Sequence, residues 1–227
     1  MEIIVTDLTR FSNPDRVCLA GIEPATMACV RPVPYLTKKR CLDAGLWPGS
    51  RLRLEDVNFA GEPGPHVEDC TCSRVRSLGP ASSVYFKSLL QASASFSVAS
   101  GFGRPIDKRC IARDTPPLRS IITIAAVPRS VSVFEGNRKE KSLRVRFSDA
   151  AGGYYSDIPV TDLALYEIPC SRGMTDVANQ LTDFLNRQAD VYLRIGIGRL
   201  WKNNYWLQAN GIYSFPNNLR QGRALTP

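Results

Sequence analysis

Residues Thr175–Phe215 run T-D-V-A-N-Q-L-T-D-F-L-N-R-Q-A-D-V-Y-L-R-I-G-I-G-R-L-W-K-N-N-Y-W-L-Q-A-N-G-I-Y-S-F. In the first third Val177, Leu181, Phe184 and Leu185 recur at helical spacing, which predicts a helix over Thr175–Gln188 with Thr175 or Ser171 as its cap. The remainder is rich in β-branched and aromatic residues and breaks once, at Lys202-Asn203-Asn204. Two strands, Val191–Leu200 and Tyr205–Phe215, are therefore expected to fold back on each other as a hairpin. A helix followed by a terminal strand pair is a late step in many small β-barrels, so the segments before it decide the class.

Those segments are strands. Ser120–Val127 and Arg129–Phe134 precede the Glu135-Gly136-Asn137 turn. Ser142–Ser148 alternates, which turns Leu143, Val145 and Phe147 inward and Arg144 and Arg146 outward, and Gly152-Gly153 leads into Tyr154–Pro159. The first half follows a rougher version of the same order. Glu2–Asp7 and Arg16–Ile22 are separated by the Asn13-Pro14-Asp15 turn, and Ala28–Leu36 carries two prolines, as an edge strand or irregular ribbon does. Arg51–Asp56 alternates after Pro48-Gly49-Ser50. Pro63-Gly64-Pro65 is a loop, His66–Arg76 a further strand, and Ser82–Ala92 a helix. Gly101–Pro117 is rich in glycine, proline and charge and is the natural boundary. The expected class is mostly β with a few helices (α+β), arranged as two tandem OB-like small β-barrels. Residues 1–110 form the first with a trailing helix, residues 118–216 the second with its helix at 175–188, and residues 217–227 a flexible tail. A single larger β domain is the alternative.

Composition excludes other classes. At 227 residues, 44% hydrophobic and 22% charged, the chain is neither disordered nor fibrous, and it is long enough to bury a core. Its longest apolar run, near Ser120–Pro128, is strand-sized and far short of the ~18 residues of a membrane span. Met1-Glu2-Ile3-Ile4-Val5 has an early acid and no basic stretch, and reads as a first strand in a cytoplasmic protein, not a signal peptide. Seven cysteines, odd in number and scattered, predict reduced thiols. His66 with Cys70 and Cys72 makes H-x3-C-x-C, but no second ligand cluster follows, so neither a metal nor another cofactor is expected and the segment reads as an ordinary strand.

Net charge is +8, divided as +3 over residues 1–115 and +5 over residues 116–227. That balance suits a polyanionic partner and equally suits solvated basic faces. No phosphate loop, nucleophile elbow, zinc-protease helix or calcium loop is present, and Gly196-Ile197-Gly198 lacks both the third glycine and the following helix of a dinucleotide fingerprint. Those glycines are expected to let the strand bend or another group approach it closely. Two constellations remain. The only histidine, His66, stands beside Glu68 and Asp69; it is either an acid–base group, working with Arg31 and Arg10 in an enzyme or small-ligand or nucleotide sensor, or a hydrogen-bonded loop anchor. The second set interleaves Arg31, Arg144, Arg146, Arg194, Arg199 and Lys202 with the aromatic residues of the terminal hairpin. Cations that follow phosphates and aromatic faces that stack bases are how OB surfaces hold single strands. Trp206 is either such a face or part of a barrel core. Lys38-Lys39-Arg40 is expected in a solvated loop able to add a phosphate contact.

Several of these segments resemble one family. Thr6-Asp7-Leu8-Thr9-Arg10-Phe11, Val17–Ile22, Cys29-Val30-Arg31-Pro32-Val33-Pro34-Tyr35, Pro65-His66-Val67-Glu68-Asp69 and the ending from Leu193 to Pro216 are similar, in that order, to the bacterial dual OB-containing domain family. The resemblance covers residues 6–216; Cys70, Cys72 and Gly198 fall outside its pattern. It implies two consecutive OB-like barrels and recognition of nucleic acid or nucleotides, in the setting of bacterial defence systems, and it implies no catalytic residues. The function expected from sequence is thus a nucleic-acid-binding module, for single strands above all, with a protein partner as a further possibility and no membrane association.

Overall fold

The computed structural model describes residues 1–11, 13–59, 61, 64–137, 142–168 and 173–218. Of the described residues 44% are strand and 18% helix, so they are mostly β with a few helices, and the sheets curl as half-barrels. The elements of the first half are β1 (Glu2–Arg10), β2 (Arg16–Ile22), β3 (Cys29–Pro32), β4 (Leu36–Thr37), α1 (Lys38–Asp43), β5 (Ser50–Glu55), β6 (Asn58–Phe59), β7 (Asp69–Thr71), β8 (Arg74–Pro80) and α2 (Ser83–Ala92). The strands form one sheet in the order β6-β7-β3-β2-β1-β5-β8, with β4 also on β2. Then come β9 (Ala94–Ser95), α3 (Val98–Phe102), β10 (Cys110–Ala112), β11 (Ile121–Ala125), β12 (Ser132–Glu135), β13 (Leu143–Ser148), β14 (Tyr154–Pro159), α4 (Leu163–Tyr166), α5 (Met174–Asn186), β15 (Asp190–Ile197) and β16 (Asn204–Phe215). They build a sheet β10-β16-β15-β11-β9 and a smaller one, β12-β13-β14.

β1 organises the first sheet. Its interior residues are all buried, the pattern of a strand covered on both faces. Its register against β2 slips between Val5 and Asp7. The extra residue resets the alternation, so Leu8 and not Asp7 joins Ile3 and Val5 in the first core, with Leu19, Val30, Leu52 and Leu54. Ile4 and Asp7 are left on the opposite side. There Ile4 packs with Ile22, Phe86, Leu89 and Leu90 from the first half and with Tyr192, Tyr213 and Phe215 of the terminal hairpin. β2 approaches β1 so closely that a side chain at Gly21 would meet the Ile4 carbonyl oxygen at 2.6 Å. The second core lies around Ile122, Ile124, Val145, Phe147, Leu193, Ile195 and Leu207, with Leu181 and Phe184 of α5 packed against it.

Several expectations shift. The long helix begins at Met174, where Gly173 provides no side-chain cap; the Thr175 hydroxyl turns to the Glu135 carboxylate instead, and Ser171 lies outside the described residues. Ser82 caps α2 by accepting the Tyr85 N–H. Lys38-Lys39-Arg40 is the first turn of α1, because the Thr37 hydroxyl accepts the Arg40 N–H. The His66–Arg76 stretch divides into β7 and β8. Pro63 lies outside the described residues, as does most of the 217–227 tail, although Asn217 is tied to Gln188 and Ser214. The division near 101–118 does not follow the packing: Val98, Phe102 and Ile111 belong to the second core, and β9 and β10 to its sheet. Among the described residues no helix is long and apolar enough to cross a membrane.

Beside the Ile4–Tyr213 cluster, a buried ion pair ties the halves together. Arg194 of β15, 1% exposed, donates to Asp7 Oδ2 at 3.0 Å, to the Thr123 hydroxyl at 2.8 Å and to the Cys29 sulfur at 3.2 Å. Removing either charge strands the other in the interior, at a cost of about 3–5 kcal/mol. Arg194→Met and Asp7→Asn are each expected to lower unfolding free energy by that order in urea titrations, and the double variant by less than their sum. Additive losses, or singles within about 0.5 kcal/mol of wild type, would show that the pair does not hold the halves.

Candidate functional site

The β15–β16 connection is built from a tight turn. Lys202 and Asn203 both have positive φ, and Trp201 and Asn204 exchange backbone hydrogen bonds at 3.0 and 3.1 Å across them. Two consecutive left-handed residues match the right-handed twist of the flanking strands, so the hairpin closes over two residues. The turn sets Trp201 outward, 56% exposed, with the Lys202 ammonium 4.5 Å from the centre of its ring. Trp206, opposite, is half-buried. Its indole N–H donates to the Trp201 carbonyl at 3.0 Å, its ring meets Trp201 edge-on at 5.9 Å, and the Arg109 guanidinium lies 5.5 Å from its centre. Trp206 is thus the support and Trp201 the more exposed ring, with Lys202 beside it.

Around this pair lies a cleft of about 760 Å³ faced by Arg10, Arg109, Arg144, Arg199, Lys202 and both tryptophans; among the described residues no carboxylate lines it. The cations come from distant parts of the chain. β10 pairs Cys110 with Trp206 and so delivers Arg109 to the cleft. β14 places Asp157, at a positive φ, behind the wall, where its carbonyl accepts from Arg109 and Arg144 at 2.9 Å each and its carboxylate pairs with Arg109. One acid therefore orients two guanidiniums. Arg10, at the end of β1, lies 4.1 Å from the Tyr166 ring centre, and its Nε is buried without a hydrogen bond.

Five of the residues singled out in the sequence meet here: Arg144, Arg199, Lys202 and Trp206, and Arg10, which lines this cleft and not a site with His66. Arg144 does so from a buried position on β13, not the outward one that alternation predicts, because Asp157 draws it inward. Arg146 is exposed above the Phe134 ring and does not line the cleft. Arg194 is enclosed by Asp7 and Thr123, so the expectation of a surface phosphate contact is corrected. Arg31 is corrected likewise: it is buried, ion-paired with Asp69 and within 2.9 Å of His66 Nδ1. Arg109 was not singled out, and Trp201 only as one of the aromatic residues of the terminal hairpin. Arg109 sits in the charge-rich stretch that reads as a linker, and only the β10–β16 pairing reveals its place.

The His66 constellation is turned to structure. A guanidinium only donates, so His66 Nδ1 accepts from Arg31 and the ring proton sits on Nε2, which is buried without a partner. Burial, reinforced by the Arg31 charge, lowers the His66 pKa to about 4. Glu68 crosses to the second sheet and accepts the Ser120 N–H at 2.7 Å, the Ser120 hydroxyl at 2.8 Å and the Ile121 N–H at 3.2 Å. These side chains clamp the β3–β7 ribbon to β11. Among the described residues no three His, Cys, Asp or Glu side chains are grouped to hold a metal, and the six described cysteines are free thiols; Cys170 lies outside the described residues. Gly196 leaves room for the Asn210 side chain, whose nitrogen would lie 2.5 Å from an added Cβ, while Gly198 faces open space.

A neutral imidazole implies a pH signature. Below its ordinary value of 6.5 the unfolded chain takes up a proton that the folded chain refuses until about pH 4. Stability from this group is complete above about pH 6.5 and is lost as pH falls through that window. Compared with His66→Gln, which does not titrate and keeps an acceptor for Arg31, wild type is expected to lose an additional ~1–3 kcal/mol between neutral pH and about pH 4 in chemical denaturation. Parallel curves for the two proteins would refute the assignment.

Neither a scan against protein-family models nor a search of curated proteins finds a match to this chain, so the reading of the cleft rests on its own geometry.

Proposed function

We propose that the chain is a nucleic-acid-binding module that holds a single strand in the Arg109–Trp206 cleft. The observation that carries this is five cations and two tryptophans facing one cleft with no carboxylate among its described lining residues. Cations placed along a groove attract phosphates, and an exposed indole stacks any base because every base has a π face. Trp201 is the stacking platform, Lys202 and Arg199 are the exposed phosphate contacts, and Arg109 and Arg144 are preset by Asp157. The curled sheets and the helix-then-hairpin order support two OB-like barrels, as the resemblance to the dual OB-containing domain family implies, and with it a role in bacterial defence. A scattered, odd cysteine set suits a cytoplasmic setting.

Affinity for labelled single-stranded DNA and RNA, measured against salt, tests this. Wild type should bind with a logarithmic salt slope of about 0.7 per phosphate neutralised. Arg199→Ala should weaken binding similarly for all sequences and flatten the slope by about one such contact. Trp201→Ala should cost ~1–3 kcal/mol of binding with slope and melting unchanged. Trp206→Ala should lower the melting temperature as well, because its indole holds the turn. A folded wild type that binds neither DNA nor RNA at low salt would end the proposal.

A further inference from the structure

Arg199 faces two cavities, not one. On one side is the tryptophan cleft. On the other is a cavity of about 540 Å³, lined by Phe11, Arg16, Val33, Pro34 and Tyr35, with Asp69 at its edge. The Arg199 guanidinium donates to the Tyr35 hydroxyl at 3.2 Å and reaches Asp69 at 3.5 Å, yet 64% of the side chain is exposed. It is a partition with an accessible charge. Asp69, the only carboxylate among the described lining residues, is already paired with the buried Arg31. Two accessible arginines, Arg16 and Arg199, are left to set the local potential.

The second cavity also has an aromatic wall. Phe11 and Tyr35 stand 4.7 Å apart between ring centres with planes tilted by 45°, and Phe11 is 37% exposed. Arg16 pins this wall by donating to the Tyr35 carbonyl at 2.8 Å. The two packed rings, with apolar Val33 and Pro34 beside them, make a wall on which a flat ring can lie, and cations at its borders suit the phosphates that flank a nucleobase.

We propose that the Phe11–Tyr35 wall is a second base-binding subsite, and that a single strand runs from Trp201 across Arg199 onto it. This rests on the function proposed above and deepens it: the ligand is an oligonucleotide long enough to cross the partition, not a mononucleotide. Arg199 contacts the phosphate between the two subsites, and Arg16 one beyond the second.

The test is the dependence of affinity on length, using fluorescein-labelled oligothymidylates from about 2 nucleotides, below the smallest OB site size of about 4, up to the largest, about 16. Wild type should gain affinity in a step once the oligomer crosses Arg199. Phe11→Ala should abolish the step, weakening long oligomers about five- to a hundredfold, the range of one lost base stack, while the shortest bind as to wild type. Arg16→Ala should flatten the salt slope for long oligomers only. Trp201→Ala should weaken oligomers of every length. If oligomers bind but Phe11→Ala affects all lengths equally or none, the second subsite is refuted while the tryptophan cleft stands. If folded wild type binds no oligomer, the underlying function falls and the subsite with it. Melting curves that match wild type for Phe11→Ala and Arg16→Ala exclude unfolding as the cause of any loss.

Discussion

The arrangement depends on a charge that has been removed from water. Arg194 and Asp7 are both almost fully inaccessible, and an isolated ion in such a place costs several kcal/mol of desolvation. Geometry offsets part of the cost, although Asp7 Oδ1 is buried without a hydrogen bond. Arg194 has three described partners, and the Thr6 hydroxyl also donates to Asp7 at 2.7 Å. Burial keeps the Cys29 thiol protonated, its pKa raised to about 12, so the sulfur is a neutral acceptor and adds no second negative charge. The bulge in β1 makes this possible, since without the extra residue Asp7 would face the first core.

From that pair the rest is positioned. It holds β1 against β15 beside the aromatic cluster of Tyr192, Tyr213 and Phe215, and Tyr213 also donates to the Thr6 carbonyl. Glu68 fastens the first half at a second point, the start of β11. The hairpin so anchored carries Arg199, Trp201, Lys202 and Trp206 outward from a rigid base. Arg10, at the far end of β1, is thereby delivered to the cleft, and the Tyr35 wall is brought to the other side of Arg199. A site drawn from residues 10, 109, 144 and 199–206 needs such a frame, because its members share no local sequence.

The arginines divide by their environment. Arg31 and Arg194 are internal ties, each matched to a carboxylate. Arg109 and Arg144 share Asp157, which orients them without lining the cleft. Arg199 and Lys202 are the most accessible, and the field they exert is screened over about 8–10 Å at ordinary salt. A net charge of +8 does not distinguish these groups; the position of each acid does.

Much of the fold is legible in the chain itself. The hairpin, α2, α5 and the inward Leu143, Val145 and Phe147 of β13 follow from short-range patterns, since backbone period and turn chemistry act within a few residues. The mostly β class follows from them. Lys38-Lys39-Arg40 shows the limit on that scale, for a single cap hydroxyl at Thr37 converts a polar run into a helix. The site is legible only in part. Arg199, Lys202 and Trp206 sit beside a recognisable turn, but Arg109 has no local mark, Arg10 is grouped in sequence with His66 and not with the hairpin, and Arg194 looks like any arginine on a strand. What the sequence alone determined is where strands, turns and helices form and how much positive charge the chain carries. Only the tertiary structure decided which cations are buried and which face the cleft, because an arginine's fate depends on the carboxylate it meets, and Asp7 lies 187 residues from Arg194 along the chain.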